Sequence, residues 1–156
     1  MSVGGSTDTP IRRAVPADAD AVQECVQAAY ARWVSVLGYR PVPAERDYHA
    51  TNQEQDIWIL EQDGAIAAVL GLIHDGDAFL IDNIAVYPGR QGHGIGSRLL
   101  DHAEKEAVRL GFPVVRLYTN AKMVKNIAWY RRHGYRVVER RRMQHKVVVF
   151  MEKAAP

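Results

Sequence analysis

The segment Arg90-Gln91-Gly92-His93-Gly94-Ile95-Gly96-Ser97 constrains this chain more than any other. Three glycines at alternate positions follow an apolar run, Ala78 to Tyr87, and open an amphipathic one. Glycine reaches backbone angles closed to other residues and lets the chain approach a ligand closely. A helix start adds unpaired N–H donors and the positive end of the helix dipole. Strand, glycine loop and helix in that order describe an anion site suited to a phosphate or pyrophosphate. The competing reading is a glycine-rich turn that only redirects the chain. Two nucleotide-binding patterns do not fit. G-x-G-x-x-G from Gly92 needs a glycine at 97, where Ser97 stands, and the Gly-Lys-Ser/Thr ending of a P-loop is absent.

The remaining sequence sets that loop in one domain, which 156 residues suit. Ile11 to Val15 reads as a first strand, and Pro16-Ala17-Asp18 opens a helix. Val22, Val26, Ala29, Tyr30, Trp33 and Leu37 recur at helical spacing up to Gly38. Tyr39 to Pro43 is a loop, and Ala44 to Asn52 a short second helix. Asp56 to Glu61, Ala65 to His74 and Ala78 to Tyr87 are strands joined by Gln62-Asp63-Gly64 and Asp75-Gly76-Asp77 turns. A helix from Gly94 to Leu110 turns Ile95, Leu99, Ala103, Ala107 and Leu110 to the core. Its other face carries Arg98, Asp101, Glu104, Lys105 and Arg109. Pro113 to Tyr118 is a strand, Ala121 to His133 a helix, and Tyr135 to Arg142 with Lys146 to Glu152 a final pair of strands. The order describes an α/β (α+β) domain over residues 10–154 with a mixed sheet. The Gly/Ser/Thr-rich residues 1–9 read as a flexible terminus.

Composition removes other classes. A single cysteine, Cys25, allows no disulfide framework and sits in an apolar helical pattern as core packing. No apolar run approaches the roughly 20 residues of a membrane span. The first ten residues lack the apolar stretch of a secretory signal, so the expected location is cytoplasmic. A net charge of +2 says little about partners. The basic stretch from Arg131 to Lys146 reads as a solvated strand face or a patch beside a ligand's phosphate, with nucleic-acid binding a minor alternative. The histidines show no zinc-like spacing, and no metal is expected.

Gln91-x-x-Gly94-x-Gly96 resembles the Q/R-x-x-G-x-G/A acyl-CoA motif of the GNAT (Gcn5-related) N-acetyltransferase superfamily. The flanks Ile84-Ala85-Val86-Tyr87-Pro88 and Leu99-Leu100, and the stretch Tyr118 to Tyr130 with Gly134-Tyr135, are similar to that family too. The resemblance implies a mixed, mostly antiparallel central sheet flanked by about four helices. It implies acetyl-CoA as cosubstrate and an amine, small or on a peptide or protein, as acceptor. By the same resemblance Gln91, Gly92, His93, Gly94, Ile95, Gly96 and Ser97 hold the pyrophosphate. Ile84 and Val86 offer backbone to pantetheine where their strand splays from Pro113 to Tyr118. Asn126 contacts the cofactor, and Tyr130, on the same helix face, is the general acid. The competing role for Tyr130 is a core aromatic.

Asp82 is a candidate general base acting through water, or else a salt-bridged carboxylate; alternation groups it with Leu80, Ile84 and Val86. Tyr30, Trp33 and Tyr48, with Tyr39, Asp47 and Glu45, are candidates to line the acceptor site. The alternative function is a non-catalytic acyl-CoA-binding or sensing module. A homodimer is suggested by the family alone.

Overall fold

The computed structural model describes residues 10–156, apart from the side chains of residues 52–54 and 75. The flexible terminus expected over 1–9 lies outside the described residues. Seven strands and five α-helices follow one another as β1 (Ile11–Arg13), α1 (Ala19–Leu37), α2 (Val42–Glu45), α3 (Tyr48–Glu54), β2 (Asp56–Gln62), β3 (Ala65–Asp75), β4 (Ala78–Val86), α4 (Ile95–Leu110), β5 (Val114–Asn120), α5 (Val124–Arg132), β6 (Arg136–Met143) and β7 (Lys146–Ala154). One sheet takes all the strands, in the order β1-β2-β3-β4-β5-β7-β6. Only β4 and β5 run parallel. The mixed, mostly antiparallel sheet is as expected; the helices number five because Val42–Glu45 makes one turn inside the proline-bearing loop.

Helix α1 forms where its stripe demands. Val22, Cys25, Val26 and Ala29 are buried against Ile57, Ile59, Val69 and Ala85 on one face of the sheet. Each fully buried valine or isoleucine among them contributes roughly 1.5–3 kcal/mol before entropy is counted. Asp18 ties down the entry to α1, its carboxylate accepting from the Val15 N–H at 2.7 Å and pairing with Arg12. Gly38 ends it in the left-handed conformation (φ 84°).

The other face is covered by α4, through Ile95, Leu99, Ala103 and Ala107, and by α5 through Ile127 and Tyr130. Two assignments on α4 differ from the sequence reading. Leu110 is exposed at the helix end. Glu104, expected outside, is buried because it accepts from the Tyr135 hydroxyl at 2.9 Å and from Lys153 at 3.1 Å, joining the helix to β7. A buried carboxylate persists when so partnered.

Strand β4 departs from simple alternation, and the departure positions the site. Its register with β3 runs Leu72↔Ile81 and then Gly71↔Asn83, leaving Asp82 as the extra residue of a bulge. A bulge re-aims the side chains that follow it. Phe79 and Ile81 face α4 before it, and Ile84 and Val86 face α4 after it. Grouping Asp82 with Leu80, Ile84 and Val86 therefore does not hold: side-chain parity reverses at residue 82.

Candidate active site

Beyond the bulge the sheet parts. Strand β4 pairs with β5 only at Leu80↔Arg116 and Ile81↔Leu117, while its pairing with β3 continues to Val86 and that of β5 with β7 continues to Asn120. From Asp82 and Tyr118 onward the two central parallel strands diverge. Among the described residues no other strand fills the gap.

Two connected depressions occupy this gap. The outer groove, about 480 Å³, runs from the glycine loop past Ile84 and Val86 to Asn126, Trp129 and Tyr130 of α5. The inner pocket, about 100 Å³, lies between Asp82, Asn83, Tyr118 and Asn120, the α1 residue Tyr30, and Tyr39, Pro41, Val42 and Pro43. Ile84, Asn126 and Tyr130 border both, at the junction.

The outer groove is built for an anion. Gly92 and Gly94 adopt left-handed angles (φ 84° and 76°), which turn the chain into the N-terminus of α4. Gly96 lacks a side chain because a Cβ there would stand 3.3 Å from the Trp129 ring. Gln91 donates to the Val86 carbonyl at 3.3 Å and accepts from Arg32 at 3.1 Å, fixing the loop to the end of β4. Ser97 is hydrogen-bonded to His133 at 3.0 Å. Arg32, Arg90, Lys125 and Arg132 line the groove, and no acidic residue does among those described. Arg90 is paired with Asp63 at 3.2 Å; Arg32, Lys125 and Arg132, with the helix N-terminus, give a positive trough. His93 is exposed and outside that lining. The sequence reading did not place Arg32 or Lys125 at this groove; Arg32 comes from α1, and Lys125 and Arg132 both come from α5.

At the junction, Tyr130 is buried among Ile95, Ile127 and Tyr135, and burial pushes its phenol above the usual range. Its hydroxyl makes no hydrogen bond among the described residues. Asn126, one helical turn earlier, shares its face, as the spacing predicts.

The inner pocket is held by one polar network. Asp82, its side chain fully buried, forms a two-pronged ion pair with Arg46, the second contact at 3.0 Å, and accepts from the Tyr118 hydroxyl at 2.7 Å. Of the two readings of Asp82, this geometry is the salt-bridged one. Both oxygens are engaged, so the carboxylate is poorly placed to take a proton. Asn120 donates to the Tyr39 hydroxyl at 2.5 Å. Asn83 is 3% exposed, and neither end of its amide has a hydrogen-bond partner. Tyr30 lines the pocket, and burial raises its phenol well above the usual range.

Trp33 and Tyr48 do not line it. Trp33 turns toward Leu37 and Met123 in a separate cluster. Tyr48 is wholly buried under α1, its hydroxyl donating to the Pro43 carbonyl at 3.0 Å. Asp47 caps α3 instead, accepting from the His49 N–H, and Glu45 is exposed. Arg46 and Tyr118 were missed; no local pattern marks a lone arginine in a loop as the partner of a carboxylate 36 residues away.

A seven-stranded mixed sheet that opens between two parallel strands, with a glycine loop at one end of the gap, defines a class of fold with many solved members. An N-acetyltransferase of ribosomal protein S18 alanine from Escherichia coli superimposes with a TM-score of 0.77 at 23% identity, over 94% of each chain. PaiA N-acetyltransferase from Thermoplasma acidophilum, solved with coenzyme A, gives 0.78 at 16% identity, over 93% of this chain and 98% of that one. An IAA acetyltransferase from Bacillus cereus gives 0.71 at 21% identity, over 94% and 99%. The acetyltransferase (GNAT) domain model matches residues 53–137, more than half of the chain. The chain belongs to the GNAT acetyltransferase family.

Proposed function

We propose that this protein transfers the acetyl group of acetyl-CoA to an amine by direct attack within a ternary complex. The observation that carries the reading is the continuous cleft from a cationic glycine loop, through the parted strands, to a pocket at Tyr130. Loop N–H groups of Gly92 to Ser97, with Arg32, Lys125 and Arg132, suit a pyrophosphate. The unpaired side of β4 at Ile84 and Val86 suits an extended pantetheine arm, and its backbone donors suit the thioester carbonyl oxygen. The coenzyme A bound by the Thermoplasma acidophilum relative supports this choice of ligand.

In the reaction, the amine nitrogen bonds to the carbonyl carbon, the carbon–sulfur bond breaks, and the thiolate takes a proton. Tyr130 supplies that proton: its phenol stays protonated at neutral pH and its hydroxyl is uncommitted. The amine gives its proton to water in the cleft, because Asp82 is spent on Arg46 and Tyr118. Asp82 and Arg46 shape the wall instead.

Incubation with acetyl-CoA and an amine library, read by release of free thiol, tests the proposal. Turnover that falls on Tyr130→Phe supports it. Tight acetyl-CoA binding in calorimetry with no turnover over a broad panel would leave an acyl-CoA-binding module in its place.

A further inference from the structure

The charges around the inner pocket carry the acceptor side further, resting on the transferase reading above. Two charged side chains line this pocket, Asp82 and Lys146. The Asp82 charge is cancelled by Arg46. Lys146, at the start of β7, makes no ion pair among the described residues. The pocket thus presents an uncompensated cation and no uncompensated anion. An ammonium entering it loses water and gains no counter-charge, which favours the neutral amine. An anionic group beside the amine gains Lys146.

The remaining lining is apolar or neutral and polar. Leu37, Pro41, Val42, Ile81, Met123 and Val148 form an oily wall. A dry cavity of about 150 Å³ holds a benzene; about 100 Å³ admits a short apolar body.

We infer that the acceptor is a small apolar amino acid, its α-amine reacting at the Tyr130 junction and its carboxylate held by Lys146. Diamines and lysine-like cations are disfavoured by the same charges.

The test uses the intact protein with acetyl-CoA and matched acceptors at equal free-base concentration. These are apolar L-amino acids such as leucine, their amides, their decarboxylated amines such as isopentylamine, and 1,4-diaminobutane. The expected result is kcat/KM at least about tenfold higher for the acid than for its amide or amine. Lys146→Ala should bring that ratio close to one, while Lys146→Arg, which keeps the charge, retains it. Equal turnover of acid and amide, preference for the diamine, or a ratio unmoved in Lys146→Ala overturns the acceptor class and leaves the transferase reading standing. No turnover of any amine by protein that binds acetyl-CoA removes the transferase reading, and this inference with it.

Discussion

Tyr130 combines a buried phenol with a hydroxyl that makes no hydrogen bond among the described residues, and this makes it the most informative residue to change. Tyr130→Phe should lower kcat by roughly 10²–10⁴-fold while acetyl-CoA affinity stays within about twofold. Thiol-release kinetics alongside calorimetry separates the two, and an unchanged kcat would reduce Tyr130 to packing. Arg46 tests the pocket wall. Removing it leaves the Asp82 carboxylate buried without a counter-charge, a loss of roughly 3–5 kcal/mol. Denaturant unfolding of Arg46→Ala should show it; wild-type stability would mean that the pair is dispensable. Cys25 tests burial itself. Its thiol is pushed up to about 12 by burial, so native protein at pH 8 should react with a thiol reagent only as fast as it unfolds.

At the scale of elements, the glycine loop was legible because its chemistry is local. Left-handed angles at Gly92 and Gly94 and a helix start at Ile95 follow from the residues themselves. Gly94→Asp should weaken acetyl-CoA binding roughly tenfold or more, by bulk and like charge at an anion site, with little change in melting temperature. Unchanged binding in calorimetry would move the phosphate elsewhere. The α1 stripe was legible for the same reason, since a 3.6-residue period is written within one helix. What escaped was set between elements. The bulge at Asp82 depends on how β3 and β4 pair, and no alternation within β4 announces it. Glu104 is drawn inward by Tyr135 and Lys153, which lie 31 and 49 residues away. Trp33 and Tyr48 have the right chemistry for an acceptor site, and packing turned both away from it. The arginines 140 to 142 lie on β6, an edge strand, with Arg141 over Phe150 and paired to Glu139. Charge there protects an open sheet edge from other strands.

Across the whole molecule, several buried acids are kept neutral by burial: Cys25, Tyr30, Tyr130 and Tyr135 all have raised values. The folded chain therefore holds protons that the unfolded chain releases first. Stability from these groups is complete below the ordinary values, about 9 for the thiol and about 10 for the phenols, and drains away as pH rises beyond them. Urea unfolding should give a lower midpoint at pH 10.5 than at pH 8; an equal or higher one would contradict it. The parted sheet acts at this scale as well. Where β4 leaves β5, a strand in the middle of the sheet has the free backbone of an outermost one, walled by helices so that only something slender can reach it. A guest laid there completes the sheet rather than decorating its surface. Within residues 82–86, the amide hydrogens that face away from β3 should then trade with deuterium quickly in the empty protein and slowly once acetyl-CoA is added, with melting rising as the ligand concentration does. The cosubstrate would be, for as long as it stays, an eighth strand.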